Sequence, residues 1–336
     1  MHRDVRDNKA HTALTLAAAA GHEDTVKVLI NARATVNLCA TADNETALMA
    51  AAKQGFTSVV QILLDAGAMH TMVNARNHNA LALAASNGHA DTVKCLVAAK
   101  AAGDSKHEHE ATPLMLAAKE GHADAIQQLA NAGAQITLCD SQGHTALHHA
   151  AARGHARAMQ TLVAAKAALD TKTKATETPL MLAVDGGHLD AVQLLVDAGA
   201  DLQAVDARGN TAVDRSVASG DIRAVTALKP ILDIVDASGR TPLMLAIAQR
   251  RSAVVQAMIN AGASLDVRDN DGNTALSLVA QSGDVHYVKM LVTAKATLDA
   301  ANDDQTPLMI AVRKGHTATA QYFVEAGVRL HARDNG

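Results

Sequence analysis

The sequence predicts an all-α fold, a solenoid of stacked helix-turn-helix units with projecting hairpin-like loops. Three observations lead to this prediction. The chain repeats itself about every 33 residues, each repeat holds two short helical patterns around a turn, and most apolar residues are small. Such a period is typical of solenoids, whose units bury their apolar faces against their neighbours. We therefore expect residues 1–336 to form a single array rather than two or three globular domains.

Ten repeats align on the residue that precedes the first helical pattern. These helix-start anchors are Thr12, Thr46, Asn79, Thr112, Thr145, Thr178, Thr211, Thr241, Thr274 and Thr306. The spacings between anchors are 34, 33, 33, 33, 33, 33, 30, 33 and 32 residues, so the array covers essentially the whole chain. Thr and Asn accept hydrogen bonds from the free N–H groups at a helix start. Proline, which suits the first helical position, follows four anchors, at Pro113, Pro179, Pro242 and Pro307.

Every repeat continues with the same series of elements. The first helix carries small and branched apolar residues on its buried side, such as Leu114 and Ala117, and ends at a glycine such as Gly121. A second helix follows, with apolar positions such as Ile126 and Leu129, and ends at AGA or AKA. About a dozen polar residues, with turn sequences such as DSQG and DNDG, then lead to the next anchor.

This series resembles the ankyrin repeat in its period, its TPLxLA start, the GH between its helices and its AGA close. The segment most similar to the family's opening motif is TALHHAAARGH at 145–155. Nearly as similar are TALTLAAAAGH at 12–22, TPLMLAVDGGH at 178–188 and TPLMIAVRKGH at 306–316. The resemblance extends over all ten repeats. It implies a stack of helix pairs whose loops project to one side of a concave groove, and an activity of binding macromolecules, usually proteins, without catalysis.

A two-repeat period is superimposed on the array. Even-numbered repeats carry methionine three residues after the anchor, at Met49, Met115, Met181, Met244 and Met309. They close with Gly67, Gly133, Gly199, Gly262 and Gly327, where repeats 1, 3, 5 and 9 have Arg33, Lys100, Lys166 and Lys295. A Lys or Arg there either accepts a strain of about 1 kcal/mol in a left-handed conformation or ends the helix differently. The methionines fit core packing, with a partner-binding strip as the alternative.

Composition limits the classes of function. No apolar run approaches the roughly 18 residues that span a bilayer, and the N-terminus has no apolar signal core, so we expect no membrane insertion. Cys39, Cys95 and Cys139 lack CxxC spacing, which favours free thiols in an intracellular, cytoplasmic protein. There is no GxSxG, GxxxxGK or HExxH motif, and the acidic pair Asp303 and Asp304 lies on a predicted loop without a pocket. The sequence therefore predicts neither an enzyme nor a cofactor.

The 17 histidines raise the question of a metal site. Those of the GH turns (His22, His89, His122, His155, His188 and His316) are predicted to be structural, since equivalent positions of adjacent repeats lie roughly 8–10 Å apart. His11, His78 and His144 precede anchors two repeats apart and are not expected to converge. The dense local cluster is 107–110, HEHE, which could face His144. We interpret it as a solvated loop tip and predict no metal site.

Repeat 7, about residues 207–236, departs from the pattern. It places Asp214, Arg215 and Ser216 where other repeats carry small or apolar residues, and its second helix is predicted to end early at Pro230. Repeat 8 has Arg250 and Arg251 in place of GH. One interpretation is a kink in the stack, which the balancing aspartates nearby favour. The other is an anion or phosphopeptide site formed by Arg215, Arg250 and Arg251, because guanidinium groups suit phosphate.

Variable polar positions on the expected concave side are the predicted partner-binding residues. They are Arg76, His78, Glu108, His109, Lys119, Glu120, Gln142, His144, Arg153, Lys174, Glu177, Asp185, Arg208, Asn210, Arg240, Gln249, Asp271, Asn273, Gln281, Arg313 and Lys314. Their charges alternate in sign and aromatic residues are scarce, which favours a protein or peptide over nucleic acid. The scarcity of Trp and Tyr favours a distributed contact of modest affinity.

Three functions fit these observations. The first is a non-enzymatic scaffold or adaptor that binds a protein or peptide in the groove. The second is the recognition segment of a larger signalling, ligase or channel protein, because HARDNG at 331–336 resembles the loop before repeat 9 and the sequence stops before another helix. The third is a structural array that self-associates end to end, since terminal repeats need polar outer faces to stay separate.

Overall fold

The computed structural model describes residues 4–8, 10–40, 42–228, 232–302 and 305–328. Within these ranges the fold is all-α, with 20 α-helices, a 3-10 helix at Glu108–Glu110 and isolated β-bridges but no β-strand. The predicted fold class is confirmed. The expectations for Pro230, for Asp303 and Asp304, and for 331–336 lie outside the described residues.

The helices occur in pairs, one pair to a repeat. Repeats 1 to 5 contain α1 (Ala13–Ala19) and α2 (Glu23–Asn31), α3 (Ala47–Gln54) and α4 (Thr57–Asp65), α5 (Ala80–Ser86) and α6 (Ala90–Ala98), α7 (Pro113–Lys119) and α8 (Ala123–Asn131), and α9 (Ala146–Ala152) and α10 (Ala156–Ala164). Repeats 6 to 10 contain α11 (Pro179–Asp185) and α12 (Leu189–Asp197), α13 (Ala212–Ser219) and α14 (Ile222–Ala227), α15 (Pro242–Ala248) and α16 (Ser252–Ala261), α17 (Ala275–Ser282) and α18 (Val285–Thr293), and α19 (Pro307–Arg313) and α20 (Thr317–Glu325).

The chain forms two compact units, residues 1–182 and 183–336, with the boundary inside α11. In the first unit, the first helices α1, α3, α5, α7 and α9 pack in succession, and the second helices α2, α4, α6, α8 and α10 form a parallel row. In the second unit, α13, α15, α17 and α19 pack in the same way, as do α12, α14 and α16. Within each unit, the helices of these repeats therefore pack against those of their neighbours, as in a solenoid.

The anchors begin the first helices. The hydroxyl of Thr46 accepts a hydrogen bond from the N–H of Met49 at 3.3 Å, and the side-chain oxygen of Asn79 accepts one from Ala82 at 2.8 Å. Such a cap satisfies one of the free N–H groups at the helix start. Thr112 caps α7 in the same way.

The core is built from small aliphatic residues. In repeat 4, Leu114, Ala117, Ile126 and Leu129 are fully buried. The methionine stripe belongs to this core, because Met49, Met115, Met181 and Met244 are buried and Met309 is partly buried. This burial favours the core interpretation of the stripe over a partner-binding strip.

The glycine and histidine of the GH turns pack between repeats. Gly55 has φ +78°, and a Cβ there would lie only 2.4 Å from Nδ1 of His89. Nε2 of His89 lies 3.0 Å from the carbonyl oxygen of Lys53, to which it donates. The same contact to the preceding repeat recurs at His122, His155 and His316. These histidines are structural. Glycine suits the turn because a side chain there would be strained by the left-handed backbone and would collide with the approaching ring.

The closing positions of odd and even repeats have the same backbone conformation. Lys100 has φ +63° and Gly133 has φ +84°. Their N–H groups donate to the carbonyl oxygens of Val97 at 2.8 Å and Ala130 at 3.0 Å, so the two helix ends are equivalent. Other odd repeats follow, with φ +60° at Arg33, +64° at Lys166 and +67° at Lys295. Odd repeats thus accept the strain of the left-handed conformation and do not end their helices differently.

Candidate functional site

A pocket of about 440 Å³ lies between the hairpin loops and first helices of repeats 3 to 5. Its lining residues are His78, Glu108, His109, Ala111, Met115, Leu116, Lys119, Asp140, Gln142, His144 and His149. Six of these are among the predicted partner-binding residues, namely His78, Glu108, His109, Lys119, Gln142 and His144. The structure therefore gathers part of the predicted surface into one concave site.

The hairpin tip of repeat 5 is held in a fixed shape by Asp140. One carboxylate oxygen, Oδ1, accepts hydrogen bonds from the backbone N–H groups of Gln142 at 2.9 Å and His144 at 2.8 Å. The N–H of Asp140 donates to the carbonyl oxygen of His144 at 2.9 Å, and that of Gly143 donates back to the carbonyl oxygen of Asp140 at 2.9 Å. An aspartate side chain that bonds its own turn in this way stabilises the tip.

Neighbouring hairpins are joined by backbone hydrogen bonds. The N–H of Ser141 donates to the carbonyl oxygen of His109 at 2.8 Å, and that of Lys174 donates to Gln142 at 2.9 Å. The register of the loops is thereby set, so side chains on successive tips keep constant positions along the rim of the pocket.

The tip of repeat 4, at the mouth of the pocket, is strained. His109 and Glu110 both have left-handed backbone conformations, with φ +56° and +62°. The conformation of Glu110 recurs at the same hairpin position elsewhere, as at Asn77 with φ +60°, whereas that of His109 is not shared by Arg76 or Gln142. The left-handed conformation of His109 costs of the order of 1–3 kcal/mol, and strain of this kind is common at ligand-binding sites. Below this rim, Met115 is buried and Leu116 is partly buried, so they form an apolar floor.

A cluster of two imidazoles and one carboxylate lies in the wall of the pocket. Nε2 of His149, on α9, is 2.9 Å from Oδ2 of Asp140, and Nδ1 of His144 is 3.4 Å from Oδ1 of the same carboxylate. The ring centroids of His144 and His149 are 5.3 Å apart. We name Asp140, His144 and His149 the repeat-5 triad.

The pKa values of Asp140 and His149 favour a carboxylate beside a neutral imidazole. Burial lowers the pKa of His149, although Asp140 opposes this shift. Burial also acts to raise the pKa of Asp140, but the backbone N–H groups of His144 and Gln142 and the two imidazoles hold it below its ordinary value. At neutral pH the pair is therefore a charged acceptor and an uncharged donor.

His148, beside the triad, is a core residue. Its Nδ1 lies 2.8 Å from the hydroxyl of Thr145, and its Nε2 lies 3.2 Å from the carbonyl oxygen of Glu177. Burial lowers its pKa to about 4. This histidine is therefore neutral at pH 7 and fixed in one tautomer, with the proton on Nε2.

The other predicted partner-binding residues are distributed along the chain. Exposed ones, including those of the pocket, are Arg76, Glu108, His109, Lys119, Glu120, Gln142, Arg153, Lys174, Asp185, Arg208, Gln249, Asp271, Gln281, Arg313 and Lys314. Partly buried ones are His78, His144, Glu177, Asn210 and Arg240. Asn273 corrects the prediction, because it is buried and its side-chain oxygen accepts hydrogen bonds from Gln281 and Asn302.

The arginines of the predicted anion site are mostly committed to contacts within the chain. Arg215 is largely buried between the carboxylates of Asp185 and Asp206. Arg251 donates to the carbonyl oxygen of Ala218 at 2.6 Å, so it replaces the histidine of a GH turn. Arg250 is exposed. These contacts give the anion site no support, and it stays a prediction, as does the kink.

The partners of His144 in the structure, Asp140 and His149, were not predicted from the sequence. The sequence predicts that His144 could face the 107–110 loop, whereas the structure places it against its own hairpin and its own first helix. A signal was present in the sequence. The fourth residue after the anchor is leucine in most repeats, as at Leu116, but it is histidine at His149.

The stacked helix pairs, capped starts and linked hairpins define a helical repeat protein of the solenoid class. This chain belongs to the ankyrin repeat family. The sequence model of that family, described as "Ankyrin repeats (3 copies)", matches residues 1–74, 68–140, 114–206 and 252–334. The sequence has no significant match among curated proteins.

The fold is also similar to a solved structure, described as "Crystal structure of human ASB11 ankyrin repeat domain". The two share 27% sequence identity with a TM-score of 0.59, over 65% of this chain and 96% of that one. Ankyrin repeats generally mediate protein–protein interaction and are typically not enzymes. No helix in the described part of the chain has the length and apolar character to cross a membrane.

Proposed function

We propose that this protein is a non-enzymatic scaffold or adaptor that binds a protein or peptide on the face formed by its hairpin loops and first helices. The observation that carries the proposal is the pocket between repeats 3 and 5. Several of its lining positions, among them those of Glu108, Lys119 and His144, carry different residues in different repeats, so folding does not dictate them. The position of Leu116 in repeat 4, for example, is occupied by His149 in repeat 5 and by Arg215 in repeat 7.

The chemistry of the pocket favours a short mixed-charge segment with an apolar anchor. Glu108 and Lys119 supply opposite charges at the rim, while Met115 and Leu116 provide an apolar floor. Clefts of this kind use apolar contacts for affinity and a few polar groups for orientation. A net charge of -4 on 336 residues gives little long-range attraction for nucleic acid.

A comparison of two charge reversals tests the proposal. Lys119→Glu changes the pocket, whereas Lys94→Glu changes an exposed position on the second helix α6, away from the pocket lining. Proteins captured from a cell lysate by the native chain are identified by mass spectrometry, and the affinity of each purified candidate is then measured. We expect Lys119→Glu to weaken binding about tenfold, or ~1.4 kcal/mol, and Lys94→Glu to leave it unchanged.

Circular dichroism first establishes that both variants are folded. Equal binding by the native chain and both variants would place the recognition surface outside the pocket. A purified candidate that loses affinity for Lys94→Glu alone would place it on the second helices. Either result would contradict the proposal.

A second candidate function is the recognition segment of a larger signalling, ligase or channel protein. The similar solved structure is described as the ankyrin repeat domain of ASB11, which favours a domain that serves within a longer chain. The three unpaired cysteines support an intracellular, cytoplasmic location for either function. Sequencing the full-length transcript distinguishes the two candidates.

A further inference from the structure

We propose that the repeat-5 triad, Asp140, His144 and His149, binds a divalent transition-metal ion of the Zn²⁺ class. One nitrogen of each imidazole and one carboxylate oxygen lie within 4.8 Å of one another. The inference goes beyond the proposed function and does not depend on it, because the site consists of residues of this chain alone.

The distances suit a small tetrahedral ion. Zinc binds imidazole nitrogen and carboxylate oxygen at about 2.0–2.2 Å, which places adjacent tetrahedral ligands about 3.4 Å apart. Oδ2 of Asp140 is 2.9 Å from Nε2 of His149, and Oδ1 is 3.4 Å from Nδ1 of His144. The two imidazole nitrogens and one carboxylate oxygen all lie within 4.8 Å of one another, so binding requires these atoms to draw together by at most about 1.4 Å, a movement that we assign to the two histidine side chains.

The hairpin of repeat 5 orients the carboxylate of Asp140 as a metal ligand. Backbone N–H groups of Gln142 and His144 both donate to Oδ1 of Asp140, so Oδ2 is directed to His149. Outer hydrogen bonds of this kind orient metal ligands and stabilise them.

Metal binding replaces one hydrogen bond. In the triad alone, Nε2–H of His149 donates to Asp140. When an ion binds, Nε2 supplies its lone pair, the ring proton resides on Nδ1, and Asp140 binds the ion instead of the proton. In both states the ring carries one proton, so only its position on the imidazole changes.

The donor set selects the class of ion. Two imidazoles and one carboxylate suit Zn²⁺, Co²⁺ or Ni²⁺, whereas Mg²⁺ and Ca²⁺ require mainly oxygen ligands. Three protein ligands leave a fourth coordination position of a tetrahedral ion for water or another ligand. Of the charged groups in the same lining, Lys119 opposes a cation and Glu108 favours it.

Repeat 7 provides a natural comparison. Asp206, Asn210 and Arg215 occupy the positions of Asp140, His144 and His149. There the guanidinium of Arg215 donates to Asp206 at 2.8 Å, so the aspartate is satisfied by a fixed positive charge. The fold therefore tolerates a pair that cannot bind metal, and folding alone does not require the two histidines of repeat 5.

The test uses the full chain and variants that copy repeat 7. Isothermal titration calorimetry with Zn²⁺, after treatment with a chelator, measures stoichiometry and affinity for the native chain, His149→Arg and His144→Asn. The matched control is His11→Asn, because His11 pairs with Asp7 at the same hairpin position of repeat 1 but lacks a third ligand, since Leu16 stands where repeat 5 has His149. Urea unfolding with and without Zn²⁺ reports binding by an independent route.

We expect one saturable site on the native chain and on His11→Asn. We expect an affinity loss of at least about 10–100-fold for His149→Arg and for His144→Asn, since removal of even an outer partner of a metal ligand costs this much. Zn²⁺ should raise the unfolding midpoint of the native chain and not that of either triad variant. Absence of a saturable site, or equal affinity of all four chains, would overturn the proposal.

Discussion

Replacing Lys100 by glycine should stabilise the N-terminal unit. Lys100 closes repeat 3 with φ +63°, a left-handed conformation that costs an L-residue about 1–2 kcal/mol. Glycine removes this strain, but it also increases the freedom of the unfolded chain by about 0.5–1 kcal/mol. The difference predicts that Lys100→Gly raises the free energy of unfolding by about 0.5–1 kcal/mol.

Gly133, which closes repeat 4 at the position of Lys100, allows the backbone contribution to the free energy of unfolding to be measured by itself. A Cβ built on Gly133 would meet nothing within 4 Å, so crowding plays no part at this position. Gly133→Ala should therefore lower the free energy of unfolding by about 0.5–1 kcal/mol, the reverse of the change at Lys100. Lys100 is exposed, so its side chain adds little packing to this balance.

Urea unfolding followed by circular dichroism measures both changes. Lys100→Ala is the control, because it removes the charge and the long side chain but keeps the Cβ that causes the strain. It should leave the unfolding midpoint nearly unchanged. A Lys100→Gly chain that is no more stable than the Lys100→Ala chain would refute the reasoning, since the strain of the left-handed conformation would then be absent.

Three further predictions concern the contacts between repeats and the buried histidine. Gly88→Ala should lower the free energy of unfolding by about 2–4 kcal/mol, because its Cβ would lie 2.5 Å from Nδ1 of His122 in a backbone with φ +76°. As pH falls from 6.5 to 4, the native chain should lose up to about 3 kcal/mol of its free energy of unfolding, because His148 binds a proton in the unfolded chain but not in the folded one, where its pKa is about 4. His148→Met should remove this loss. Arg251→Ala should cost about 1 kcal/mol, because the carbonyl oxygen of Ala218 loses its donor, and Arg251→His should restore most of it. Urea unfolding, repeated across pH for His148→Met, measures all three.

Each of these predictions has a contrary outcome. If Gly88→Ala costs no more than Gly133→Ala, the approach of the histidine ring contributes nothing. If His148→Met unfolds with the same pH dependence as the native chain, another group binds the proton. If Arg251→His is no more stable than Arg251→Ala, the arginine does not replace a GH histidine.

Much of the fold could be predicted from the sequence because it depends on local signals that recur ten times. The anchors predict helix starts, and the helices do begin directly after them, as at Thr46 and Asn79. The helix ends of odd repeats could not be decided in the same way. A lysine such as Lys100 is a poor left-handed residue by itself, and it takes that conformation because the neighbouring repeats fix the chain on both sides.

The candidate site was only partly predictable, since it depends on which side chains a hairpin brings back to its own helix. His144 and Lys119 were expected on the face of the loops, and the structure places both in one pocket. The sequence predicts Asp140 as a turn residue. This is correct for Oδ1, which accepts a hydrogen bond within the turn, but Oδ2 instead accepts one from His149 on the following helix. His149 lies nine residues further along, on a helix, and no helical or strand periodicity relates it to Asp140.

The hairpin aspartate and its partner on the first helix form different kinds of polar pair in repeats 5 and 7. The hairpin aspartate is Asp140 in repeat 5 and Asp206 in repeat 7, and its partner on the first helix is His149 in one and Arg215 in the other. Because the aspartate satisfies the turn through its backbone contacts, the partner is free to vary without loss of the fold. A repeat protein can in this way place a neutral imidazole or a fixed positive charge at a constant point on its binding face. Under the proposed function, the residues at these two positions would contribute to what each repeat recognises, while the helices that carry them keep nearly the same sequence.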